Sequence, residues 1–255
     1  MNVALLSDVH ANLPALEAVL ADVDAHPGIH AIYHLGDLVG YAPWPDHTVS
    51  LLDARGITGV SGNYDSTVAL NYKHCGCKYE DPVQEVLSHR SFAWTCANTS
   101  ATTKQRLAAL PFSLSVRPGG GHASGPQLVL VHGTPSLNTV YWTDDRSDDF
   151  CRRMAERAGL KRGDAIAFGH THKPWHRVID GIHFVNTGSV GRPKDGDWRA
   201  GYVTVSIDGA EINVDFHRVA YDVARAADGI LASDLPDEFA EYLRSGGTRL
   251  AKPVR

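Results

Sequence analysis

The chain has little sulfur, with four cysteines and two methionines in 255 residues. Cys75, Cys77, Cys96 and Cys151 form no C-x-x-C pair, so a disulfide framework is not expected. A reducing, cytoplasmic setting is the simpler reading. No apolar run reaches the length of about 18 residues that a membrane-crossing helix needs. The N-terminus lacks the basic segment and apolar stretch of a signal peptide. Positive charge is not in excess either: 24 Lys and Arg stand against 29 Asp and Glu, for a net charge of -5. An extended nucleic-acid surface usually shows as a basic one and is not expected here. A nuclease, which needs a basic track for its strand, is disfavoured for the same reason. A local pocket for one phosphate remains compatible.

What is present is an ordinary globular composition, 43% hydrophobic and 21% charged. It predicts one α/β domain over residues 1–255, with a core of fair size. The apolar run Val3–Leu6 does not alternate, as expected of a strand buried on both faces. Leu13, Leu16, Leu20 and Val23 then recur at helical spacing, behind a capping Asn12 and with Pro14 in the first turn. Residues 31–35 and 57–60 read as further strands and 48–54 as a helix stopped by Gly56. This alternation predicts a mostly parallel sheet.

Asp81-Pro82 opens a helix that carries Val83, Val86, Leu87 and Trp94 on one side. Ser100 caps another, ending at Pro111. Residues 118–126, rich in Gly and Pro, read as a hairpin connection. Strands are predicted over 127–131, 165–168 and 182–185. A hairpin over 199–218 is predicted to turn at Asp208-Gly209. The tail from about 220 to 244 is predicted to be helical.

Five short motifs fall at the ends of predicted strands: Asp8-Val9-His10, Gly36-Asp37, Gly62-Asn63-Tyr64-Asp65, His132-Gly133 and Gly169-His170-Thr171-His172. In open α/β sheets the ligand site lies at the carboxyl ends of strands. The donors are imidazole, carboxylate and amide oxygen, which suits Mn²⁺, Fe or Zn²⁺ better than a soft thiolate site would. Seven candidate ligands, Asp8, His10, Asp37, Asn63, His132, His170 and His172, exceed what one such ion needs. They suit two ions sharing a bridging carboxylate.

The ordered set D-x-H, G-D, G-N-x-D, H-G and G-H-T-H resembles the calcineurin-like metallophosphoesterase superfamily. Its small bacterial and archaeal phosphodiesterases are the nearest subgroup, and Asn186-Thr187-Gly188-Ser189 resembles a segment that follows there. The resemblance spans about two thirds of the chain. It implies a four-layer α/β/β/α sandwich of two mixed β-sheets flanked by helices. It also implies two divalent ions per chain, Mn first and Fe, Zn, Ni or Mg as alternatives. Asp8, His10 and His172 would hold one ion, and Asn63, His132 and His170 the other, with Asp37 bridging. The implied activity is hydrolysis of small phosphate esters by a metal-bridging hydroxide, with phosphodiesters favoured. Monoesters of nucleotides or phosphoproteins are the alternative. A non-catalytic scaffold of the same fold would have lost ligands, and none is missing here.

One position departs from the pattern. Many relatives have G-N-H, where the histidine assists the leaving group; this chain has Tyr64. An ordinary tyrosine, with pKa near 10, is not poised as an acid at neutral pH. Asp65 is expected to orient its neighbours.

Asn63, His132 and Arg192 are expected to face the phosphoryl oxygens. A guanidinium at Arg192 would grip a phosphate oxygen or form a surface salt bridge. His34 reads as a packed histidine. His26, His30, His47, His89, His122, His176, His183 and His217 read as ordinary polar residues. His74-Cys75-Gly76-Cys77 reads as a structural loop that could wall the pocket, with a third metal site or a redox pair as alternatives. Tyr141 and Trp142 are expected to line the pocket or pack in the core. The oligomeric state is not legible.

Overall fold

The structure is a computed structural model describing residues 1–79, 81–118 and 125–248. Strand β1 (Asn2–Leu6) leads to helix α1 (Leu13–Asp24), β2 (Ala31–His34), α2 (Pro45–Ala54) and β3 (Thr58–Gly59). Helices α3 (Asn63–Ala69), α4 (Pro82–Asn98) and α5 (Ala101–Ala108) follow. Then come β4 (Ser113–Val116), β5 (Leu128–Val131), α6 (Asp148–Arg157), β6 (Ala165–Phe168), β7 (Trp175–Ile179) and β8 (Ile182–Asn186). The chain closes with β9 (Ala200–Asp208), β10 (Glu211–Val219), α7 (Val223–Leu231) and α8 (Glu238–Arg244).

Among the described residues two five-stranded sheets form, ordered β10-β9-β1-β2-β3 and β4-β5-β6-β8-β7. Within them β1, β2 and β3 run parallel, as do β5, β6 and β8, while β9 pairs antiparallel with both β1 and β10, and the edge strands β4 and β7 pair antiparallel with β5 and β8. Side chains alternate across each strand, and this builds the layers. Val3 and Leu5 meet Leu128, Leu130, Ala165 and Ala167 between the sheets. Ala4 and Leu6 face the other way, onto Leu16, Val19 and Leu20 of α1. Val131, Ile166 and Phe168 pack against Cys151 and Met154 of α6. This is the predicted four-layer sandwich.

Most elements begin and end within a few residues of the sequence reading. The Asn12 side chain caps α1 by accepting from the Ala15 N–H, and Ser100 caps α5 at Thr103. Three details differ. Helix α4 buries Leu87, Ser88, Ser91, Phe92 and Thr95, whereas Val83 and Val86 are exposed. Small hydroxyl residues there let the helix approach the Tyr41 loop closely: Ser91 Oγ accepts from the Tyr41 N–H at 3.2 Å. The last hairpin pairs Asp208 with Glu211, so the turn is Gly209-Ala210, one residue later than predicted. Helix α3 was not predicted, and neither were strand β7 and helix α6. The last two carried signals: Asp180-Gly181, with φ of 52° and 77°, is a hairpin turn pair, and the Ser147 side chain caps α6. Part of the predicted 118–126 connection lies outside the described residues; β4 and β5 on either side are antiparallel neighbours.

Candidate metal centre

All seven candidate ligands follow the carboxyl ends of β1, β2, β3, β5 and β6, and all are buried. Five of them sit in left-handed backbone: Asp8 (φ 53°), His10 (50°), Asp37 (54°), His170 (64°) and His172 (62°). Non-glycine residues avoid that region, and such strain concentrates at functional sites. The turns need glycine beside them. A Cβ on Gly62 would lie 2.1 Å from Asp37 Oδ1, and one on Gly169 would lie 2.3 Å from Asp8 Oδ2, so both loops close only because these positions are bare.

Six of the candidates gather into two groups of ligand-capable atoms. Asp8, His10 and His172 make one, and Asp37, His132 and His170 the other, each within 4.8 Å internally. In the first, His10 Nδ1 faces the Val39 carbonyl at 3.1 Å and His172 Nδ1 faces the Arg192 carbonyl at 2.6 Å. Those acceptors assign the ring proton to Nδ1 in both histidines. Their Nε2 lone pairs then point at each other across 3.1 Å, with Asp8 Oδ1 3.1 Å from His172 Nε2. Asp8 Oδ1 is buried and without a hydrogen-bond partner. Three electron-rich atoms aimed at one point repel unless a cation lies among them, so this donor set fits a divalent ion. Asp8 Oδ2 is held by the Ser7 hydroxyl at 2.5 Å and the His170 N–H at 3.0 Å. Burial opposes charge on Asp8, but His172 and its neighbours hold the carboxyl well below the usual range. Burial and the His172 ring push His10 well below its ordinary value.

In the second group, Asp37 Oδ1 accepts the Tyr64 N–H at 2.8 Å, which leaves Oδ2 for the centre. Asp37 Oδ2 lies 3.4 Å from His132 Nε2 and 3.8 Å from His10 Nε2, and so reaches both groups. Asn63 joins this group through Oδ1, 3.0 Å from His132 Nε2. Its Nδ2 donates to the Cys75 carbonyl and to Cys77 Sγ, each at 3.2 Å, fixing which atom faces inward. His170 Nε2 is buried and unpartnered. His132 differs from the other histidines: burial opposes its charge, but Asp37 pushes it up to about 10.

The other predicted residues fall around this centre. Asp65 lies beneath it and accepts three backbone N–H groups, from Asp37, Leu38 and Gly62, at 2.8, 2.8 and 2.9 Å. Burial and the Asp37 carboxylate raise Asp65 to about 7. Tyr64 packs edge-on against His10 and Phe92. Its hydroxyl has no hydrogen-bond partner, and burial raises it well above the ordinary tyrosine value.

Among the described residues Arg192 has no salt-bridge partner. It is 1% exposed, with its guanidinium stacked between Tyr41 at 3.9 Å and Tyr242 at 4.1 Å. It does not line the cavity above the centre, so the expected phosphate grip is not formed directly; Tyr41 stands between it and His10. Cys77 does line that cavity, as the loop reading allowed. Tyr141 leans on the His170 ring at 4.4 Å, whereas Trp142 is core, stacked on Phe168.

The cavity measures about 1,020 Å³, and His10, Asp37, His170 and His172 lie on its wall. Lys194 is also there, and the motif reading missed it. Its only sequence signal was a place two residues beyond Arg192. Burial and Arg192 push its amine down to about 8.

Residues 1–210 match the profile of the calcineurin-like phosphoesterase superfamily domain. The chain belongs to that superfamily. Membership implies a metal-dependent hydrolase of phosphate esters. This metallophosphoesterase is 29% identical to the uncharacterized protein MJ0912 of Methanocaldococcus jannaschii, over 96% of this chain and 98% of that one. Its structure is similar to a metallophosphoesterase from Sphaerobacter thermophilus, with TM-score 0.75 and 28% identity over 96% of this chain and 100% of the other. It shares the fold of the hypothetical protein PH1004 from Pyrococcus horikoshii OT3, with TM-score 0.80 and 22% identity over 97% and 99% of the two chains. Among the described residues, no helix of this metallophosphoesterase is long and apolar enough to cross a membrane.

Proposed function

We propose that this chain acts as one domain that hydrolyses small phosphate esters at a dinuclear metal centre, phosphodiesters by preference. Asp8, His10 and His172 hold one ion, Asn63, His132 and His170 the other, and Asp37 bridges. The observation that carries the reading is the aim of the donor atoms: the facing Nε2 lone pairs of His10 and His172, with Asp37 Oδ2 between that pair and His132.

When bound, the ions supply Lewis acidity and water that is deprotonated near neutral pH. Manganese is the first choice among them, given imidazole, carboxylate and amide donors. The chain's own residues do the rest. Ser7 and the His170 N–H hold Asp8 ionised with Oδ1 turned inward. The carbonyls of Val39 and Arg192 fix the tautomers of His10 and His172. Cys75 and Cys77 fix the Asn63 amide. Two aspartates offset half of the four positive charges of a divalent pair, so the loaded centre attracts anions. A cavity of about 1,020 Å³ has room for groups on both sides of a phosphorus atom, which supports diesters over monoesters.

The test is a panel of nitrophenyl phosphodiesters and phosphomonoesters assayed with Mn²⁺, Mg²⁺, Zn²⁺ and chelator, with metal content measured in parallel. The expected result is two ions per chain, hydrolysis abolished by chelator, and higher kcat/KM on the diesters. A saturating content of one ion or none would sink the dinuclear reading, and faster monoester turnover would reverse the preference.

A further inference from the structure

Arg192 and Lys194 place two cations close together, and among the described residues neither is in ion-pair contact with a carboxylate. Arg192 is fully buried, and its Nη1 and Nη2 have no hydrogen-bond acceptor. Lys194, on the same loop, is partly buried on the cavity wall. Among the described residues no carboxylate forms an ion pair with it. Withdrawing a charge from water without a partner is expensive, and a solvated surface lysine would carry no such cost. The unpaired ammonium opens into the cavity whose wall holds His10, Asp37, His170 and His172. An anion arriving there would meet it.

The loop is rigidly placed. Its start is tied to the first ligand: Val190 and Gly191 donate to the Ser7 and Asp8 carbonyls at 2.9 and 3.0 Å. The Lys194 N–H reaches the His172 carbonyl at 3.4 Å. The rest is held by the end of the chain. Arg192 lies between Tyr41 and Tyr242, with Phe239 at 5.3 Å, and the Gly196 N–H donates to the Gly246 carbonyl at 2.9 Å. Phe239, Tyr242 and Gly246 all follow residue 210, where the superfamily match ends. The segment that holds Lys194 in place thus lies beyond the residues that the superfamily profile matches.

We propose that Lys194 binds a non-bridging phosphoryl oxygen of the substrate, and that α8 positions it through the Arg192 stack. This rests on the phosphoesterase reading above. Lys194 is the binding residue; Arg192 and Tyr242 are positioning residues.

The test uses the full-length, Mn²⁺-loaded protein and inorganic phosphate as the probe, titrated calorimetrically, with metal content measured for each variant. Lys194→Met should weaken phosphate binding roughly 10- to 100-fold, the range of a lost charge-assisted hydrogen bond, with metal content unchanged. Lys194→Arg should stay within about fivefold, because the charge and donors remain. Tyr242→Ala should weaken phosphate in the same direction while Tyr242→Phe, which keeps the ring, should not. For any ester that is turned over, Lys194→Met should raise KM more than it lowers kcat. Phosphate binding by Lys194→Met within twofold of wild type, or loss of metal from that variant, would overturn the proposal. A wild type that binds phosphate but cleaves no ester would refute the enzymatic reading and leave the role of Lys194 measurable.

Discussion

Asp37 and Asp65 hold each other's loops. Asp65 Oδ2 accepts the Asp37 backbone N–H at 2.8 Å, and Asp37 Oδ1 accepts the N–H of Tyr64, next to Asp65, at 2.8 Å. The two motifs that carry them are thereby locked in register, and Asp37 Oδ2 is left with one direction to face. Asp65→Asn puts an amide N–H where backbone donors need an acceptor. A hydrogen bond to a charged group contributes about 1.5–3 kcal/mol, so Tm should fall by roughly 5–10 °C, with weaker metal retention on dialysis. A variant as stable and as metal-rich as wild type would show that the interlock is dispensable.

Asp37 Oδ2 lies within 4 Å of a ring nitrogen in each ligand group, His10 Nε2 in one and His132 Nε2 in the other. Asp37→Asn should therefore cost more activity and more metal than His10→Ala or His170→Ala alone, since removing its charge weakens affinity at both ions. Metal content by elemental analysis and kcat/KM on one diester, compared across the three variants, check this. Two retained ions in Asp37→Asn would contradict the bridging role.

In the metal-free protein His132 is expected to carry a proton that metal must displace. Its Nδ1 faces the Leu35 carbonyl at 2.7 Å, and its Nε2 faces Asn63 Oδ1 at 3.0 Å. Both ring nitrogens thus meet acceptors, consistent with an imidazolium whose pKa Asp37 raises from 6.5 to about 10. Loading the metal-free protein at pH 7–8 should release about one proton from this residue, read as the dependence of calorimetric heat on buffer ionisation enthalpy. Because the folded pKa is the higher one, the proton stabilises the metal-free fold fully below pH 6.5. That contribution is lost as pH rises through about 10. Metal affinity should rise over the same interval; no buffer dependence would mean that His132 is already neutral.

Tyr64 is a poor candidate for the general acid. Its hydroxyl is buried, unpartnered and shifted away from neutrality. Tyr64→Phe should leave turnover of nitrophenyl esters within about twofold and add up to about 1 kcal/mol of stability by removing an unsatisfied polar group. Thermal denaturation and steady-state kinetics read both. A large loss confined to esters with basic leaving groups would instead make the tyrosine the acid.

The candidate ligands were legible because each depends on a short stretch: an apolar strand, a glycine or sharp turn, then a donor side chain. The sandwich was legible through family resemblance and through alternation along strands such as Val3–Leu6, where odd residues face one layer and even residues the other. Periodicity misplaced the buried face of α4, because Ser88 and Ser91, not Val83 and Val86, lie against Tyr41.

Tertiary structure alone decided what the donors face. His10 and His172 are 162 positions apart, yet their Nε2 atoms lie 3.1 Å from each other, a distance set by how the two sheets pack. It also decided the fate of Arg192, whose neighbours Tyr41 and Tyr242 come from opposite ends of the chain. A local motif can specify which atoms are able to bind an ion. The direction of a buried charge is settled by long-range packing, because the cost of desolvation depends on every group that closes around it.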